Sequence, residues 1–181
     1  AMTNDLQQWK DSVSLGVSEN ARFAASPFAG TKTLSWAHNL TLVETAKAEG
    51  FDETILLNER GEAAECTSAN LFAVRDGTTY TPPLSSGPLP GVTRALLLEE
   101  IDITGAPVKE RVLSLDDLFD ADEVFITSTT RELLPVSRIL DRAVGPGAAG
   151  PWPVMERLRG GLREYIRADV EVRGRAEERA K

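Results

Sequence analysis

The stretch Pro82-Pro-Leu-Ser-Ser-Gly-Pro-Leu-Pro-Gly91 packs four prolines and two glycines into ten residues. Each proline removes a backbone N–H and fixes φ, so neither a helix nor a central strand can run through it. It must be a loop, and it separates strand-rich text from a helix. Before it, Thr54–Asn58 reads as a buried strand with Glu59-Arg-Gly61 as its turn. Leu71–Val74 is a second strand, and Asp76-Gly77 is a hairpin signal returning through Thr78–Thr81. After it, Thr93 reads as the cap of a helix ending near Ile101. Val108–Val112 and Asp122–Thr127 read as short strands. Upstream, a polar lead-in from Thr3 ends in a strand at Val13–Val17, and Ala24–Gly30 is a turn-rich connector. A helix is expected from Ser35, its N-cap, to Glu49, with Gly50 as the stop. Gly145–Gly150 is a loose linker. Val154, Leu158, Leu162 and Ile166 recur every four residues and mark an amphipathic C-terminal helix, with a frayed or solvated charged tail after Asp169. There is no internal repeat. Strands and helices alternate irregularly, which fits an α+β fold or mixed barrel better than a strict doubly wound sheet.

A chain of 181 residues makes one ordinary domain, or one large domain with trimmings. Its net charge of −8 argues against nucleic acid and anionic membranes as partners. It does not argue against a small phosphorylated ligand, because helix starts bind anions even in acidic proteins. One cysteine excludes an internal disulfide. No apolar run reaches membrane-spanning length and no signal-peptide pattern opens the chain, so a cytoplasmic location is expected. No Cys/His cluster is available for a metal. Gly145–Gly150 lacks the flanking strand and helix, and the lysine, of a nucleotide loop.

Three segments carry possible chemistry. They are Ala29-Gly-Thr-Lys32-Thr-Leu, then Glu62-Ala-Ala-Glu65-Cys-Thr-Ser-Ala-Asn70-Leu-Phe, then Leu89-Pro-Gly-Val-Thr93-Arg94. Taken singly, Lys32 reads as a surface lysine, Glu65 as a strand-end glutamate and Thr93 as a helix cap. Taken together they supply a reactive amine, a carboxylate and a helix start with free N–H groups. In order and approximate spacing they resemble the class IV (fold-type IV) pyridoxal phosphate-dependent aminotransferases. That family holds branched-chain and D-amino acid aminotransferases and aminodeoxychorismate lyase.

The resemblance implies the large cofactor-binding domain of the D-amino acid aminotransferase-like fold, a β pseudo-barrel flanked by helices. It implies pyridoxal 5'-phosphate as cofactor, with an amino acid and a 2-oxo acid as substrates. Lys32 takes the place of the Schiff-base lysine, which is also the acid/base. Such an amine must lose its proton, which burial or a neighbouring cation favours. Glu65 takes the place of the carboxylate that keeps the ring nitrogen protonated, which makes the ring a better electron sink. Leu89 is expected to pack on the ring, and the N–H groups of Val92 and Thr93 to hold the phosphate. Thr127-Ser-Thr-Thr130 before Arg131-Glu-Leu-Leu-Pro135-Val is similar to the family's Ser/Thr-rich turn. By that likeness Thr129 reaches the phosphate and Thr130 lies near the substrate carboxylate. Cys66 is expected to be a small buried spacer.

The resemblance is strongest from Ser26 to Val136. The family's small N-terminal domain has no counterpart, so residues 1–25 are expected to be its end or an interdomain connector, and residues 26–181 the large cofactor domain. A homodimer is implied for the full-length protein. Branched-chain members usually carry a tyrosine five residues after the lysine, where Ala37 stands here. The Cys66 to Asn70 wording is closer to aminodeoxychorismate lyases. Three readings follow: a class IV aminotransferase, an aminodeoxychorismate lyase, and a noncatalytic remnant of either.

Overall fold

The computed structural model describes residues 11–179, with side chains through residue 172, so most of the polar lead-in lies outside the described residues. The elements are β1 (Val13–Arg22), α1 (Ala37–Ala48), β2 (Glu53–Asn58), β3 (Ala63–Cys66), β4 (Asn70–Arg75), β5 (Thr78–Thr81), α2 (Val92–Glu99), β6 (Val108–Glu110), α3 (Leu115–Phe119), β7 (Glu123–Ser128), β8 (Glu132–Ile139), β9 (Arg142–Ala143) and α4 (Pro153–Arg179). The strands form one sheet in the order β3-β2-β1-β8-β7-β4-β5-β6, with β9 on β8. β1 runs parallel to both its neighbours, β2 and β8. β4, β7 and β8 form an antiparallel meander. The sheet is mixed and curls into half a barrel, the α+β architecture expected.

Two apolar clusters, one on each face, hold the sheet. Side chains alternate along a strand, so β4 sends Leu71 and Ala73 to one cluster and Phe72 and Val74 to the other. β7 divides in the same way, with Val124 and Ile126 on the first side and Phe125 on the second. Phe72 and Phe125 face each other across the β4–β7 ladder, their rings stacked 4.9 Å apart. Leu97 of α2 and Met155, Leu158 and Leu162 of α4 close the second cluster. The period of four along the C-terminal helix is therefore a buried stripe at Val154, Leu158 and Leu162, but Ile166, expected to continue it, is 42% exposed because the helix runs past the sheet there.

Several local expectations need correcting. α1 begins at Ala37, and its N-cap is Trp36, without a side-chain cap, rather than Ser35. α2 begins at Val92 with Gly91 at the N-cap, so Thr93 is its second residue and not its cap. The Pro-rich loop holds a short 3-10 turn at Leu84–Ser86. β3 is buried at all four positions and so shows no alternation to read. β8 contains Pro135, which lies one residue before the first β1 partner, Val136, and therefore removes no bond from that ladder. α3 starts with a capping box between Ser114 and Asp117. Of the two expectations for the charged tail after Asp169, frayed chain or helix, the helix holds, continuing to Arg179. Arg94, buried beneath the Pro-rich loop, donates to the Pro82 carbonyl at 3.0 Å and pairs with Glu110, tying that loop to β6.

Candidate active site

One end of the sheet gathers the C-terminal ends of β1, β3 and β7 with the start of β4. Glu65, near the end of β3, is 4% exposed. Its Oε2 accepts the Leu89 N–H at 3.0 Å, and Arg22 at the end of β1 pairs with its Oε1. Asn70 opens β4 and donates its Nδ2 to the Leu89 carbonyl at 2.8 Å. The Leu89 residue is thus held at both its N–H and its C=O. Two residues on, a Cβ at Gly91 would overlap Asn70 Oδ1, so glycine lets the chain pass this close without moving the Asn70 amide. α2 starts immediately afterwards, with first-turn N–H groups that have no intrahelical acceptors.

Lys32, Glu65, Leu89, Thr93, Thr129 and Thr130 line one cavity of about 560 Å³. That volume suits a small organic cofactor. Lys32 is exposed where it lines the cavity. Val92 is outside the wall, with its side chain 71% exposed, so it can offer the cavity only its N–H. Asn39 of α1 donates to the Thr67 carbonyl at 2.7 Å, which fastens the helix after Lys32 to the bend that follows the strand bearing Glu65. Cys66 points into the core. Burial pushes its thiol up, the Glu53 carboxylate adds to this, and the Arg131 guanidinium opposes it, so the sulfur stays protonated and inert.

The wall also contains residues that sequence reasoning missed. Arg22 gives Glu65 a cationic partner, and nothing local to Arg22 signals this, because the contact is made only when β1 and β3 flank β2. Asn39, Thr67, Ser68 and Arg131 line the cavity as well. Among the described residues, Arg22 Nε and Thr127 Oγ1, buried atoms of residues that line the wall, have no hydrogen-bond partner. Such atoms call for a polar ligand. An amine, a carboxylate paired with an arginine, hydroxyl groups and a helix start therefore fit a group with one aldehyde, one ring nitrogen and one phosphate. Among the described residues no group of three or more His, Cys, Asp or Glu could hold a metal ion.

Sheet order and motif order match the fold of the fold-type IV aminotransferases. The chain belongs to the amino-transferase class IV family, whose family model matches residues 1–139. It is 37% identical over 125 residues to the branched-chain-amino-acid aminotransferase of Escherichia coli (strain K12), covering 69% of this chain and 40% of that protein. It is 36% identical over 120 residues to the D-alanine aminotransferase of Bacillus licheniformis, covering 66% and 42%. The branched-chain amino acid aminotransferase of Thermobaculum terrenum in its PLP-bound holo form superposes with a TM-score of 0.77 at 29% identity, over 89% of this chain and 52% of that one. The chain spans about half, or less, of the length of these relatives.

Proposed function

We propose that this chain is the large cofactor domain of a pyridoxal phosphate-dependent enzyme that moves an amino group from an amino acid to a 2-oxo acid. The observation that carries this is the convergence of Lys32, Glu65 and the Leu89–Thr93 turn on a single cavity. When bound, pyridoxal phosphate supplies a carbonyl for amine exchange and a ring that withdraws electrons from the substrate Cα. Lys32 would be the residue that bonds the aldehyde carbon and moves the proton at the substrate Cα. Glu65, ion-paired with Arg22, would accept a hydrogen bond from the protonated ring nitrogen. Leu89, which lines the cavity and whose peptide is held by Glu65 and Asn70, would pack on the ring. The N–H groups of Val92 and Thr93, with Thr129, bind the phosphate, and Thr130 receives the substrate carboxylate.

The exposed side of the cavity supports a covering partner. Phe28 and Leu34 are 71% and 104% exposed beside Lys32. A small N-terminal domain and a second subunit would bury them and exclude water from the amine. In this reading residues 26–181 form the large domain, and the segment before residue 26 leads from the small one while lending β1 to the sheet. A homodimer acting in the cytoplasm is the corresponding assembly; among the described residues no helix is long and apolar enough to cross a membrane.

The test is spectroscopic. Pyridoxal phosphate added to the protein is expected to give a visible absorbance band that borohydride fixes onto Lys32, as read by peptide mass mapping. Lys32→Ala is expected to lose the band and the covalent mark. A band that persists in Lys32→Ala would overturn the assignment. An unmodified protein that stays colourless would leave a noncatalytic fold.

A further inference from the structure

Glu53 opens β2, is 2% exposed and lies outside the cavity wall. Its carboxylate nevertheless reaches two bends that do form the wall. Glu53 Oε1 accepts from the Thr67 hydroxyl, from the Thr67 N–H at 3.3 Å and from the Thr54 N–H at 3.1 Å. Oε2 accepts from the Ser68 hydroxyl at 2.7 Å and lies 3.7 Å from Arg131 Nη1. Arg131 in turn donates to Ser68 Oγ at 2.9 Å. The first bend, residues 67–69, joins β3 to β4 between Glu65 and Asn70. The second, residues 129–131, joins β7 to β8 and carries Thr129 and Thr130.

A buried carboxylate is costly unless its hydrogen bonds are complete, and an apolar side chain of similar volume usually serves stability as well. Here all but one of the named contacts go to the two bends. We propose that Glu53 is a positioning residue that clamps the 67–69 and 129–131 bends together and so sets the width of the cavity at its threonine end. This rests on the functional reading above, since that end is where the anionic groups of cofactor and substrate are received. Glu53 acts through Thr67, Ser68 and Arg131 and touches no reacting atom.

The test compares the unmodified protein with Glu53→Gln, Glu53→Ala and Glu53→Ala/Arg131→Met. Two readouts are used: hydrogen exchange of the cofactor-free proteins, and absorbance titration with pyridoxal phosphate. Glu53→Ala is expected to speed exchange in peptides covering both bends while α4 and β4 stay protected. It is expected to weaken pyridoxal phosphate binding between about 10- and 100-fold, as loosened supporting contacts do at pre-organised sites. Glu53→Gln keeps an acceptor for Thr67 but loses its attraction for Arg131, so exchange should rise at 128–132 alone. Adding Arg131→Met to Glu53→Ala should bring little further loss. If Glu53→Ala fails to fold, Glu53→Gln carries the test. Unchanged cofactor affinity in both Glu53 variants, or exchange that rises evenly across the sheet with a lower melting temperature, would overturn the clamp. If the unmodified protein takes up no pyridoxal phosphate, the functional reading fails, while the exchange pattern still decides whether Glu53 joins the bends.

Discussion

Gly91 illustrates how a single missing side chain shapes the site. Its φ of −66° is open to any residue, so the glycine is required by space and not by backbone conformation. Gly91→Ala would drive a methyl into Asn70 Oδ1 and dislodge the amide from the Leu89 carbonyl. The expected loss is about 1–3 kcal/mol of stability, read from urea denaturation, together with weaker pyridoxal phosphate binding. Asn70→Ala removes the clash, so the double variant should lose less than the two single losses added together. Arg22 is the second decisive residue. Arg22→Met leaves the buried Glu65 carboxylate with the Leu89 N–H but no cation. We expect a loss of about 1.5–3 kcal/mol in the same measurement. Neither partnership shows in the local sequence, because Asn70 and Leu89 belong to separate motifs and Arg22 to none.

α4 depends on one buried side chain from another element. Glu123, the first residue of β7 and 3% exposed, accepts the Val154 N–H at 2.8 Å and the Met155 N–H at 2.9 Å. Pro153 begins the helix, where its missing N–H is harmless. Glu123 therefore serves as the cap of a helix far along the chain, and its charge complements the positive end of the helix dipole. Glu123→Ala should cost about 1–2 kcal/mol, seen as a lower thermal midpoint, with Glu123→Gln falling between. The apolar stripe of α4 could be read from its period, but this cap could not. β8 escaped notice for a similar reason. A proline inside a strand argues against the strand unless its neighbours are known, and here the β1 ladder begins just past Pro135.

The molecule as a whole should respond to acid through the turn that joins β2 to β3. Arg60, Asn58 and Ser86 all donate to Glu62, and chiefly the Arg60 bond holds its carboxyl down from 4.5 to about 2. The folded value lies below the ordinary one, so this contact stabilises fully above pH 4.5 and its contribution fades as pH falls toward 2. Urea midpoints measured from pH 6 down to pH 2 should fall less steeply in Glu62→Gln. The sequence was enough to place the Pro-rich loop, most of the strands around it, the C-terminal helix and the three motifs bearing Lys32, Glu65 and Thr93. Those signals are local: proline geometry, hydrophobic period and short spacing. The Arg22–Glu65 pair, the Asn70 grip on Leu89, the Glu53 clamp and the Glu123 cap join residues that meet only when the mixed sheet closes. A buried carboxylate and a surface one look alike in a string of letters. Packing alone gives Glu53, Glu65 and Glu123 their partners, because only there does removal from water make a hydrogen bond to each of them necessary.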